Sequence, residues 1–144
     1  MRSVFKSGTS LFVAAIFWGT IALLIGLFVN DLVNHNLGQT WYIHAFDFIV
    51  IAFLLWIWFR TDYAFQGEDL VCNAGPFNAN IKIDSIKQID LNAKMWSGFR
   101  PALSFKGMVI HYEKYNEIFI SPKDLEGFIS VLKRINPTIK VNKG

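Results

Sequence analysis

Two apolar runs, residues 11–29 and 41–59, constrain this chain more than any other feature. Each counts 19 residues and the two are parted by the polar stretch 30–40. As a helix rising about 1.5 Å per residue, such a run spans roughly 28 Å, close to the hydrocarbon thickness of a bilayer. The first run carries no charged residue. In lipid the backbone must satisfy its own hydrogen bonds, so a helix is the expected form. A cleaved signal peptide is the rival reading. The run exceeds the usual apolar core of about 7–15 residues, and no small-x-small cleavage pattern follows it. Residues 11–59 are therefore expected to form a transmembrane hairpin, with a short N-terminal segment (1–10) before it and a separate domain (60–144) after it.

Basic residues in the flanks set the side each end faces. Arg2 and Lys6 precede the first helix and Arg60 follows the second, whereas residues 30–40 hold no Lys or Arg. Both termini, and with them the domain, are thus expected in the cytoplasm, with the short loop outside. Trp41 and Tyr42 at one end and Trp56 and Trp58 at the other suit the two interfaces. Ala15, Gly19, Ala22 and Gly26 share one helical face, where small residues let backbones approach. The favoured reading is a seam against the second helix; a homodimer interface is the alternative. His44 and Asp47, at i and i+3, form a candidate intramembrane polar pair.

Beyond Arg60 the patterning changes. From residue 60 onward, twelve Lys/Arg and nine Asp/Glu are scattered with both signs, which is no nucleic-acid footprint. The single cysteine, Cys72, excludes an internal disulfide. Seven short segments (61–65, 70–74, 77–83, 86–92, 102–105, 108–112 and 117–120) read as strands separated by turns such as Gln66-Gly67-Glu68-Asp69, Gly75-Pro76 and Lys106-Gly107. One helix follows. Ser121 is placed to cap it, with Pro122 first and Asp124 third, and Leu125, Phe128, Ile129, Leu132 and Ile135 form one apolar stripe. Lys133 and Arg134 suit its last turn and Pro137 ends it. The strands suit a small barrel or sandwich, and with one terminal helix they make a small α+β domain; the order is that of a PH-like barrel, which periodicity alone does not separate from other small β folds.

Particular pieces strengthen that reading. Thr61-Asp62-Tyr63 directly after a membrane helix, Gly75-Pro76, Pro101-Ala102-Leu103-Ser104, Ile120-Ser121-Pro122-Lys123-Asp124 and Asn136-Pro137 together resemble the YyaB-like bacterial PH-domain family. The resemblance covers roughly residues 60–137. It implies a PH-like seven-stranded barrel with a C-terminal helix behind membrane helices, and little about activity. One departure is the Lys106-Gly107 pair, where members often carry an acidic-basic pair, so no role of that pair carries over. The family is also similar in layout to the immunity protein for the bacteriocin sublancin.

Catalytic signals are missing. No Gly-rich phosphate loop, G-x-S-x-G or Cys–His signature occurs, and His111 and Cys72 stand alone in strand segments, so neither enzyme activity, metal nor cofactor is expected. Phosphoinositide-binding PH domains grip phosphates with basic residues around the first hairpin. The turn here, with Glu68 and Asp69, is acidic and would repel them. The candidate contact surface is the segment from Lys94 to Arg100, where Met95, Trp96 and Phe99 lie between two cations, suited to a partner or to the headgroup region. The functional expectation is a membrane-anchored module that recruits or senses a protein or lipid; the alternative is an immunity protein against a membrane-active bacteriocin.

Overall fold

The computed structural model describes residues 3–35, 37–92 and 100–143. It opens with a strand, β1 (Ser3–Lys6), ahead of helices α1 (Leu11–Val33) and α2 (Leu37–Phe59). At 23 residues each, the helices run about 34 Å. Both outlast the apolar runs at the turn between them. Ser10 caps α1, its hydroxyl accepting from the Val13 N–H at 3.2 Å. The turn forms where the Asn34 amide group donates to the Asn30 carbonyl at 2.8 Å and His35 takes a left-handed φ of 58°. The seam between the helices is aromatic. Phe17 stacks on Trp58 at 4.4 Å between ring centroids, and near the turn Phe28 packs edge-on against His44 and Phe48. Most remaining apolar side chains on both helices are exposed, among them Phe12, Ile16, Trp41, Phe46 and Ile49.

Only Arg60 separates α2 from β2 (Thr61–Gln66), which is followed by β3 (Asp69–Ala74) and β4 (Phe77–Lys82). A single 3-10 turn leads to β5 (Ile86–Leu91); then come β6 (Met108–Tyr112), β7 (Asn116–Ile120), α3 (Leu125–Ile135) and β8 (Lys140–Lys143). These strands form two four-stranded sheets, ordered β1-β2-β3-β4 and β7-β6-β5-β8. Every pairing is antiparallel except that of β8 on β5. Between the sheets lies one core: Tyr63, Phe65, Leu70, Ile81, Ile89, Met108, Ile110 and Ile118, closed by Phe128 and Leu132 of α3.

The two sheets are not closed into a seven-stranded barrel. Residues 102–105 form no strand; Leu103 alone bridges to Thr9. Leu103 is held by the segment before α1 instead: its N–H donates to Ser7 Oγ at 3.1 Å and its carbonyl accepts from the Ser10 N–H at 3.2 Å. Each sheet gains one strand that was not expected, β1 and β8. The helix start also differs. Asp124, not Ser121, caps α3, accepting from the Gly127 N–H at 2.9 Å.

Ser121 has another task, because it belongs to a buried polar knot around Tyr63. The Tyr63 hydroxyl donates to the Pro101 carbonyl and accepts from the Ser121 N–H at 3.0 Å, with Ser7 Oγ 3.5 Å away. Ser7 Oγ lies 3.1 Å from Ser121 Oγ. Burial pushes the Tyr63 hydroxyl above its ordinary pKa, keeping it a donor. This knot joins the segment before α1, the strand after α2, and the loops on either side of β6–β7.

The helices dock closely on the domain. Thr61 Oγ1 donates back to the Ile57 carbonyl at 2.6 Å, and the Gly75 N–H donates to the Arg60 carbonyl at 3.2 Å. Gly75 has a φ of +60°, and a Cβ there would lie 2.8 Å from Ile57 Cγ1. Gly75→Ala is therefore expected to cost about 1–3 kcal/mol by backbone strain and by pushing α2 off the β3–β4 turn, measured as thermal unfolding in detergent.

Removing the Tyr63 hydroxyl leaves a buried carbonyl and a buried N–H unpaired, so Tyr63→Phe should cost about 1–3 kcal/mol. Cys72 gives an independent readout. It is fully buried and its thiol is pushed up to about 12 by that burial; since the thiolate is the nucleophile, the native protein should resist maleimide near pH 8. Faster labelling of Cys72 in Tyr63→Phe is the expected outcome.

Candidate functional site

His44 is almost fully buried on α2 and is held from two sides. Its Nε2 lies 3.0 Å from Asp31 on α1, and its Nδ1, which makes no hydrogen bond, lies 3.5 Å from Asp47. The expected His44–Asp47 pair is thus part of a trio. Asp31 lies two residues past the apolar run 11–29, and α1 continues through it to Val33, which brings it to His44. A groove of about 310 Å³, walled by Leu24, Phe28, Phe48 and Ile51, opens beside His44 and Asp47. The two carboxylates address different ring nitrogens, so they do not converge on one point as metal ligands must.

The stripe Ala15, Gly19, Ala22 and Gly26 is exposed on the outer side of α1. A Cβ on Gly19 or Gly26 would meet nothing within 4 Å. The stripe is therefore no seam against α2; that role falls to Phe17, Ile21 and Phe28. Of the candidate contact segment, Lys94, Met95, Trp96 and Phe99 lie outside the described residues. Arg100 is described, and its guanidinium sits 4.3 Å from the centroid of the Phe119 ring and 6.0 Å from that of Phe105, a cation–π arrangement.

The domain's other histidine is not alone. His111 Nε2 lies 2.7 Å from Asp90 and its Nδ1 3.0 Å from Glu117, so β5, β6 and β7 are joined across the sheet face. Burial alone would raise the Asp90 carboxyl, but hydrogen bonds from Gln88, His111 and Asn142 outweigh it and hold the group below its ordinary range. Asn142 lies on β8, so the same carboxylate fastens that strand. This is a clamp, and among the described residues no group of three or more His, Cys, Asp or Glu is placed to hold a metal ion.

A polar pocket lies where the chain enters α1. A pocket of about 480 Å³ is formed by residues 6–9, 104, 106 and 121–123, with Lys6, Lys106 and Lys123 on its wall. Two backbone bonds build its floor: the Gly8 N–H donates to the Ser121 carbonyl at 2.6 Å, and the Lys123 N–H to the Lys6 carbonyl at 2.9 Å. With Ser7 paired to Pro122 between them, Lys6 stands across from Lys123. Ser7 and Ser121 are buried beneath, engaged with Tyr63, while all three lysines are exposed. Sequence reasoning missed this site because Lys6 is far along the chain from its partners. The one available signal was Ser3-Val4-Phe5-Lys6, too short to stand as a strand without its β2 partner.

Comparison with known proteins matches these elements closely. The family described as Bacterial PH domain matches residues 61–136, more than half of the chain. That stretch runs from the start of β2 to the residue that ends α3; β1, the hairpin and β8 lie outside it. The uncharacterized protein YyaB of Bacillus subtilis (strain 168) is 28% identical over 100 residues, covering 69% of this chain and 68% of that protein. No solved structure matches the chain. With β2 to α3 matched as one unit, the chain belongs to the bacterial PH domain family.

Proposed function

We propose that the protein is a membrane-anchored PH-like binding module, and not an enzyme, whose hairpin crosses the bacterial inner membrane and holds the domain on the cytoplasmic face, where it recruits or senses a protein or lipid. The observation that carries this reading is the pairing of β1 with β2, Lys6 opposite Asp62, across the two ends of the hairpin. The helix ends are thereby stitched into one domain, and the α1–α2 turn is the far end. Two helices long and apolar enough to span a bilayer expose bulky apolar side chains along their length. A water-soluble monomer rarely shows so large a continuous apolar surface. Lipid covers it at no cost. The basic flanks Arg2, Lys6 and Arg60, against a turn free of Lys and Arg, set the cytoplasmic side.

Because Cys72 is buried and silent, single cysteines report the topology directly. In intact cells a membrane-impermeant maleimide should label Asn34→Cys, in the turn, and leave Lys143→Cys unlabelled until the cells are opened. Labelling of Lys143→Cys from outside would reverse the orientation, and equal labelling of both would remove the spanning hairpin.

A further inference from the structure

The lysine pocket at the foot of α1 gathers three ammonium groups on one wall. Lys6 and Lys123 face each other across a short antiparallel pairing, an arrangement that repels. Lys106 adds a third ammonium to the same wall. Among the described residues no carboxylate pairs with any of the three. Two carboxylates lie close in register or sequence, Asp62 across from Lys6 on β2 and Asp124 next to Lys123; Asp62 accepts from Asn73 at 2.7 Å and Asp124 caps α3. Three compact, strongly hydrated cations around a hydroxyl-lined hollow suit an anion with several oxygens.

The position of the hollow narrows the anion further. Lys6 to Thr9 lead directly into Ser10 and α1, and the Ser10 N–H donates to the Leu103 carbonyl at 3.2 Å. Phe105, between two pocket residues, is exposed and meets Phe12 of the first α1 turn with ring centroids 6.0 Å apart. A cationic hollow therefore adjoins an apolar ledge continuous with a helix suited to lipid. The acidic turn bearing Glu68 and Asp69 lies at the opposite end of β2.

We propose that this pocket binds the phosphate of an anionic glycerophospholipid, with Lys6, Lys106 and Lys123 holding the phosphate oxygens and the acyl chains lying along Phe105 and Phe12. The assignment rests on the membrane-surface reading above. It adds a ligand chemistry and a site distinct from the first-hairpin position of phosphoinositide-binding PH domains, and it uses Lys6 from outside the family's own stretch.

The test uses the full chain in nanodiscs of phosphatidylcholine with or without phosphatidylglycerol. Lipid retained by the protein after transfer to detergent is counted by native mass spectrometry. The wild type should retain phosphatidylglycerol. The triple variant K6Q/K106Q/K123Q should lose at least about tenfold of that retention, while K82Q/K114Q/K140Q, with the same change in charge elsewhere, should keep it. Equal retention by the two triple variants overturns the site. Displacement by inorganic phosphate at matched concentration overturns the lipid as the source of the phosphate. Failure of the membrane reading is separately visible: the protein would then not enter nanodiscs at all, whereas failure of the pocket leaves insertion intact and abolishes only the anionic preference.

Discussion

The pairing of β1 with β2 is the contact on which the remaining structure depends. It brings together two segments separated by the whole hairpin, and the entropy of closing so long a loop would ordinarily weigh against it. Here the loop is two packed helices whose ends already lie side by side. Once α1 and α2 are seated on each other through Phe17 and Trp58, β1 and β2 are neighbours before any sheet bond forms. The sheet then returns the favour, since Phe5 on β1 packs against Phe65 and Phe128 and so links the hairpin to the deepest part of the core.

From that constraint follows the distribution of polar groups. Where β1 gives way to α1, the backbone of residues 7–10 needs partners, and it finds them in residues 103 and 121–123. Tyr63 and Ser7 satisfy what those contacts leave over. The buried side of this junction is a closed network, and its outer side is a row of unpaired ammonium groups. One piece of local architecture thus serves both stability and charge display.

Much of this was legible in the residues, and the failures have identifiable causes. Lengths and apolarity placed the two long helices, and alternation with Gly-centred turns placed β2 to β7 closely. The strand misses came from partners distant in the chain. β1 has little strand character apart from β2, and β8 (Lys-Val-Asn-Lys) draws its place from β5 and from the Asp90 carboxylate that holds Asn142. Residues 102–105 have strand-like composition, yet Leu103 bonds to Ser7 and Ser10, far back in the chain, and not to a neighbouring strand. Ser121 looks like a cap because Ser-Pro-x-Asp fits one, but its Oγ is buried against Ser7 Oγ at 3.1 Å, and Asp124 takes the capping position. Of the candidate functional residues, His44 and Asp47 were found by chemistry alone, Asp31 needed one more helical turn, and the lysine pocket needed the fold.

The placement of β1 has a consequence for how the polypeptide is made. Its Phe5 leaves the ribosome first and the α3 residue it packs on, Phe128, among the last. Between them come both helices and most of the two sheets. A nascent chain therefore cannot complete its core piece by piece from the N-terminus. The opening strand can pair with β2 once the hairpin is placed, but Phe5 has no Phe128 to pack on until the closing helix has emerged.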